Sequence, residues 1–206
     1  MAKEKRFLDA VYALETSEDT REFYDNWSQT YDAEVTENGY ASPGRVADAL
    51  AQFVPDQAKP ILDLGCGTGV SGQALSAAGF TTLDGSDFSS EMLTQARAKG
   101  IYRTLLHADL TDPLPFADGT YPVITAIGVL NPGHAPAETL DAILAKLPKD
   151  GIFAFTLNDH ALADHSYEAR LMDHLDCGTA VLLFKEHGAH LPKIDLKSNV
   201  YVLRKT

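Results

Sequence analysis

The chain has 206 residues, 45% hydrophobic and 22% charged, a globular composition that excludes a disordered chain and, at roughly 150 residues per domain, argues for one domain with an added cap. Seventeen Lys and Arg face 29 Asp and Glu, a formal charge of −12, which excludes the basic footprint that nucleic acid or an anionic lipid surface requires. No apolar run approaches the ~20 residues that span a bilayer, none follows the charged start as a secretory signal, and two cysteines make no disulfide framework, so a cytoplasmic protein is expected.

Residues 4–14 carry Phe7, Leu8, Val11, Tyr12 and Leu14 at helical spacing. Ser17 is placed to cap a helix over 18–30 bearing Phe23, Tyr24 and Trp27, with Tyr31 just beyond. Ser42-Pro43 reads as an N-cap and first helical residue of a helix to about Val54. Pro55 and Pro60 bracket a linker. A short buried strand, Ile61–Leu64, then leads through a glycine-rich turn into a helix to Ala78, stopped by Gly79. Phe80–Leu83 is the second predicted strand. Ser89 caps a helix over 90–98 that Gly100 closes. Tyr102–Leu106 and Tyr121–Ile127 are strands, Pro136 opens a helix to Leu147, and Gly151–Leu157 is a fifth strand. After a helix near 162–175 come two strand-like runs, Thr179–Lys185 and Asn199–Leu203. No helix-length segment separates them, so they pair antiparallel or lie apart. The alternation predicts an α/β fold with crossover helices.

The turn Asp63-Leu64-Gly65-Cys66-Gly67-Thr68-Gly69 lets the backbone bend sharply and approach a ligand closely. The helix that follows offers unpaired N–H groups to an anion. Asp87, just past the second predicted strand, is where a carboxylate accepts from a ribose diol. Two ligands fit. Gly67-Thr68-Gly69-Val70-Ser71-Gly72 spells the G-x-G-x-x-G of dinucleotide folds. S-adenosylmethionine is the other. Its carboxylate suits the turn, and Asp63 puts a negative charge where its ammonium wants one and where a pyrophosphate would be repelled.

Ile61–Gly69 resembles motif I of the class I S-adenosylmethionine-dependent methyltransferases. The run Asp84–Leu93 resembles the segment after their second strand, and His107-Ala108-Asp109-Leu110 the motif after the third. Tyr24–Asp32 is similar to their N-terminal cofactor-covering segment, and the likeness extends to Gly128–His134. Within the family the chain looks most like the small Williams–Beuren-region methyltransferase-like group. The resemblance covers residues 23–160, departs at Tyr121-Pro122-Val123 and fades after residue 160. It implies a three-layer α/β sandwich with a seven-stranded, mostly parallel, Rossmann-like sheet and an antiparallel C-terminal strand pair. Residues 1–42 would form a helical cap over a core of residues 43–206. It implies cofactor contacts from Tyr24, Tyr31, Asp63, Gly65, Cys66, Gly67, Gly69, Asp87, Phe88, Met92, Asp109, Leu110 and Ile127. Asp87 would meet the ribose and Asp109 the adenine amino group.

Methyl transfer from a sulfonium asks a protein mainly for positioning and exclusion of water. Aromatic faces suit the sulfonium charge. Tyr24 and Tyr31 are candidates, although their helical spacing equally suits core packing, the expected place of Trp27. His134, in a Pro-Gly-His loop after the fourth strand, is the candidate general base. As an ordinary histidine it would lose activity below about pH 6.5. His160 and His165, beyond the fifth strand, are weaker candidates. Cys66 reads as a small buried residue rather than a nucleophile, and Asp84 as a turn residue. His187 and His190 lack a carboxylate at ligand spacing, so no metal is expected. The expected activity is transfer to a small-molecule acceptor, yielding S-adenosylhomocysteine. An NAD(P)-dependent oxidoreductase, for which no Tyr-x-x-x-Lys pair is evident, and a non-catalytic S-adenosylmethionine-binding protein are the alternatives. The residues select neither an acceptor atom nor an oligomeric state.

Overall fold

A computed structural model describes residues 17–206, so the helix expected over 4–14 lies outside the described residues. The chain runs α1 (Ser17–Trp27), α2 (Tyr31–Glu37), α3 (Ser42–Ala51), β1 (Ile61–Leu64), α4 (Val70–Ala77), β2 (Leu83–Asp87), α5 (Ser90–Ala98) and β3 (Thr104–His107). It continues through β4 (Val123–Ala126), α6 (Thr139–Lys146), β5 (Ile152–Asn158), α7 (Asp159–Ala163), α8 (His165–Asp176), β6 (Ala180–Leu191) and β7 (Leu196–Lys205). The strands form a seven-stranded sheet in the order β3-β2-β1-β4-β5-β7-β6. β1 to β5 are parallel, whereas β7 runs antiparallel to both β5 and β6. The chain moves outward from β1 to β3 and returns to β4 beside β1, a switch point that opens a crevice at the carboxyl ends of those strands.

Strand alternation divides the core between the two faces of the sheet. Leu62, Leu64, Ile124, Phe153 and Phe155 pack with Leu140 and Ile143 of α6 and Leu171 of α8. Ile61, Val123, Ile152 and Val202 pack on the other face with Val46 and Leu50 of α3 and Leu75 of α4. A third cluster, Trp27 and Val35 with Leu191 and Leu196, joins the N-terminal helices to the β6–β7 hairpin. No described helix is long and apolar enough to cross a membrane.

Several boundaries differ from the sequence expectation. The helix expected over 18–30 ends at Trp27, and Tyr31 opens α2 instead. Ala41 is the N-cap of α3; the Ser42 hydroxyl contacts His190 Nδ1 at 2.8 Å and Ser198 Oγ at 3.0 Å. β2 starts at Leu83 rather than Phe80, which places Asp84 inside a strand and not in a turn. β3 starts two residues later than expected, and β4 starts at Val123, directly after Pro122, a residue without the N–H that a ladder needs. The helix expected from Pro136 begins at Thr139, and the helix near 162–175 is two helices, capped by Asn158 and Asp164.

Candidate active site

After β1 the backbone turns through Gly65 at φ +63° and Gly67 at φ +53°, the left-handed region that glycine adopts freely. A Cβ at Gly65 would lie 2.4 Å from Val129 Cγ2, whereas one at Gly67 would meet nothing within 4 Å among the described residues. The turn is tied internally. Cys66 N–H donates to Ser86 O at 2.9 Å, and Gly69 N–H donates to Cys66 O at 2.8 Å. The Cys66 thiol is buried against Gly85, where a Cβ would sit 2.9 Å from the sulfur. Burial, with Asp87 and Asp63 nearby, pushes the thiol well above its usual range, so it is no nucleophile.

Four carboxylates near the turn have four different settings. Asp63 is fully buried. It accepts from Ser71 Oγ at 2.5 Å, Tyr102 Oη at 2.7 Å and Thr125 Oγ1 at 2.8 Å. Burial pushes its carboxyl up against the pull of these three donors. Asp63 thus braces β1, α4 and β4 from beneath the turn and does not line the cleft, contrary to the role expected for it. Asp87 ends β2, where it accepts from the N–H groups of Gly67 and Ser89, each at 2.9 Å. Burial nevertheless raises its pKa to about 6. Asp84 is also buried, but Arg103 grips it with contacts of 3.1 and 2.6 Å and Tyr121 donates at 3.0 Å. Burial pushes the Asp84 carboxyl up, and these partners outweigh it and hold it below the usual range. Asp109 is half-buried and accepts from the Thr111 N–H and hydroxyl at 2.8 and 2.7 Å.

At the switch point these elements enclose a cleft of about 700 Å³, its open mouth included. Gly65, Gly67, Asp87, Phe88, Met92, Asp109, Leu110 and Ile127, at or just beyond the carboxyl ends of β1 to β4, form its floor; Tyr24 of α1, Tyr31 of α2 and His134 of the loop after β4 form its roof. Asp63, Cys66 and Gly69 are outside the lining. Thr20, Ala108, Gly128, Val129 and Ala135 also line it; Ala108, Gly128 and Val129 lie in the family-like runs and Thr20 in the expected 18–30 helix, but the sequence singles out none of them as a site residue. Gly128 carried a signal, a glycine directly after a buried strand; a Cβ there would come 2.5 Å from the Tyr40 hydroxyl.

Side chains hold the roof. Thr20 Oγ1 donates to Gly133 O at 2.8 Å, and Ser89 Oγ to Asp25 Oδ1 at 2.5 Å. Asp32 receives the Thr68 hydroxyl at 2.5 Å and pairs with Lys99 at 2.6 Å. Tyr24 Oη and His134 Nε2 are 2.5 Å apart. Trp27 is a core residue, as expected, and its Nε1–H donates to Glu34 at 3.0 Å. Burial lowers the His134 pKa to about 4, against a smaller upward push from the Pro132 carbonyl. The imidazole is therefore neutral at pH 7, and the acid limb expected near pH 6.5 is not its own. His160 and His165 are exposed and do not line the cleft. His187 and His190 bond through Nδ1 to Asn199 and Ser42. Among the described residues no group of three or more His, Cys, Asp or Glu is placed to hold a metal ion.

A family described as Methyltransferase domain matches residues 61–151. Human Methyltransferase-like protein 27 is 36% identical over 129 residues, 61% of this chain. Demethylmenaquinone methyltransferase of Clavibacter sepedonicus is 36% identical over 133 residues, 62% of this chain. Each match covers 53% of the relative, so the chain spans about half the length of these curated relatives. Among solved structures, magnesium protoporphyrin IX methyltransferase from Synechocystis PCC 6803, with bound S-adenosylhomocysteine, superposes with a TM-score of 0.71. That match covers 93% of this chain and 100% of the other at 13% identity, a likeness of fold alone. The family match over residues 61–151, the sequence relatives and the sheet topology all support a class I S-adenosylmethionine-dependent methyltransferase.

Proposed function

We propose that the chain transfers a methyl group from S-adenosylmethionine to a small-molecule acceptor, releasing S-adenosylhomocysteine. The observation that carries this reading is the cleft itself, lined by buried Asp87 and half-buried Asp109 from the ends of the neighbouring strands β2 and β3 together with the aromatic Tyr24, Tyr31 and Phe88. Its residues fit the cofactor. Asp87 suits the ribose hydroxyls and Asp109 the adenine amino group, the open side of Gly67 leaves room for the methionyl part, and Tyr24, Tyr31 and Phe88 suit a sulfonium. A dinucleotide fits less well. Its pyrophosphate wants free N–H groups at the turn, and those of Gly67 and Gly69 are engaged by Asp87 and by Cys66 O.

Bound there, the cofactor supplies a methyl group already activated by its sulfonium charge. The chain supplies the rest. The segment through residue 42 acts as a cap that excludes water and orders the reactants. His134, neutral at pH 7 and held against Tyr24 Oη through Nε2, is the base available to a protonated acceptor. Two unpaired cysteines, Cys66 and Cys177, fit a reducing cytoplasmic setting. Calorimetry with S-adenosylhomocysteine and NAD tests the reading. The first should bind with one site per chain and the second should not; the reverse preference overturns it.

A further inference from the structure

The roof helices carry two carboxylates that do not line the cleft, Asp25 of α1 and Asp32 of α2. Each accepts from the hydroxyl of a buried residue beneath the roof. Asp25 Oδ1 accepts from Ser89 Oγ and Asp32 Oδ1 from Thr68 Oγ1, both at 2.5 Å. Both hydroxyls belong to the segments that hold Asp87. Ser89 N–H donates to Asp87 Oδ1 at 2.9 Å. Gly67 N–H, one residue before Thr68, donates to Asp87 Oδ2 at 2.9 Å. Each oxygen of Asp87 is therefore set by a backbone N–H, and each of those two segments is tied through a hydroxyl to a carboxylate of the roof.

A carboxylate offers about four acceptor positions. The two N–H groups occupy one on each oxygen and so fix where the remaining ones point. Ser89 is also the N-cap of α5, where its Oγ accepts from Met92 N–H at 3.0 Å. That hydroxyl has one proton to give, and Asp25 takes it. The Asp25 charge lies at the positive end of the α5 dipole, with Arg21 at 3.7 Å. Lys99 pairs with Asp32 at 2.6 Å. Hydrogen bonds to an ionised acceptor are roughly twice as strong as neutral ones, so both ties restrain their segments.

We infer that Asp25 and Asp32 are positioning residues for the cofactor. Acting through Ser89 and Thr68, they aim the open acceptor positions of Asp87 at a vicinal diol and couple the closed roof to ribose recognition. The inference rests on the methyl-transfer reading above, in which Asp87 meets the ribose. Two residues outside the cleft then set cofactor affinity, and they set it for the diol rather than for the ligand as a whole.

Calorimetry with S-adenosylhomocysteine and its 2′,3′-dideoxy analogue separates aiming from cover. Asp25→Ala should weaken S-adenosylhomocysteine about 5-fold or more, the lower end of coupling between sites. The analogue has no diol to meet and should weaken less than about 2-fold. Asp25→Asn keeps an oxygen for Ser89 and should restore most of the affinity. Asp32→Ala is the second variant and should show the same contrast through Thr68. In a Ser89→Ala background, Asp25→Ala should have no further effect, because the tie is already gone. Equal losses for the two ligands, or unchanged affinity for both, in either alanine variant overturn the inference, since the two carboxylates would then only hold the cover. Failure of S-adenosylhomocysteine to bind the unaltered chain overturns the methyl-transfer reading and the inference with it. Binding no tighter than that of the analogue overturns the assignment of Asp87 to the ribose, and again the inference falls.

Discussion

The floor and the roof of the cleft are fastened by different kinds of bond. The floor is backbone and buried carboxylate: Gly67 N–H on Asp87, Cys66 N–H on Ser86 O, and three hydroxyls around Asp63. The roof hangs on side chains that reach across long stretches of sequence. Tyr24 meets His134, Thr20 meets Gly133, and Asp32 meets Lys99. Buried, mutually satisfied groups open only with the sheet, whereas partly exposed clasps open locally. Under the proposed function, that difference assigns binding to the half fastened by backbone and buried carboxylates and cover to the half fastened by side-chain clasps.

The largest expected effect attacks the floor. In Gly65→Ala the new Cβ falls 2.4 Å from Val129 Cγ2, at a φ of +63°. Overpacking of about 1–3 kcal/mol and left-handed strain of about 1–2 kcal/mol together predict a loss of about 2–5 kcal/mol. Cofactor binding should go with it. Gly67→Ala shares the positive φ but meets open space, so only the strain of about 1–2 kcal/mol applies. Urea unfolding of both variants measures the contrast. Equal losses would mean that the close approach to Val129 does not brace the floor.

A medium effect separates stability from binding at Asp87. Its folded pKa of about 6 lies above the ordinary 3.8. Between those values the folded chain holds a proton that the unfolded chain has released, so this group's contribution makes stability rise as pH falls from 7 toward 4. The two-unit gap corresponds to about 3 kcal/mol against folding at pH 7.5. Asp87→Asn removes that charge. It should stabilise the chain at pH 7.5 by up to about 3 kcal/mol, less about 1 for the N–H bond that the single amide oxygen cannot accept. Cofactor affinity should move the other way. Loss of a charged acceptor predicts a drop of roughly 10–150-fold, and in the unaltered chain affinity should weaken as pH falls through about 6. Denaturation and calorimetry at pH 5 and 7.5 read both signs. Asp84→Asn, which disturbs Arg103 and Tyr121 instead, should lower stability and leave cofactor affinity alone. A less stable Asp87→Asn chain at pH 7.5 would show that the carboxylate is chiefly a brace.

The floor was legible in the sequence because its instructions are local. A buried strand, a glycine turn and a serine cap follow one another within thirty residues, and Ser89 does accept from Met92 N–H at 3.0 Å. The absence of a crossover between β6 and β7 left them antiparallel or apart, and the family resemblance supplied the antiparallel pair that the sheet contains. β2 was misplaced for a physical reason. Leu-Asp-Gly-Ser-Asp contains no β-branched or aromatic residue, and only its burial between β1 and β3 makes it a strand. That error carried Asp84 into a turn. The inward orientation of Asp63 depends on hydroxyls from Ser71, Tyr102 and Thr125, which no short pattern brings together. The same holds for the roof. Nothing near His134 in sequence announces Tyr24, 110 positions away, or the burial that keeps the imidazole neutral.

The smallest expected effect tests the roof. Asp32→Asn keeps the shape of the side chain and still offers an oxygen to the Thr68 hydroxyl, so it removes little but the charge that faces Lys99. The Asp32 side chain is 46% exposed and that of Lys99 17%. An ion pair open to water on one side is worth about 0.2–1 kcal/mol. Global unfolding should therefore shift by less than about 1 kcal/mol, and cofactor affinity by less than about 5-fold. Hydrogen exchange should register the change where unfolding does not. Amides of α2 should lose protection by up to about 5-fold while those of β1 and β4 keep theirs, because the clasp opens without the sheet. Raising the salt concentration should bring the unaltered chain toward the variant, since an exposed pair is screened and the buried floor is not. If Asp32→Asn instead costs as much global stability as Gly65→Ala, roof and floor form one cooperative unit, and cover and cradle cannot be tuned apart.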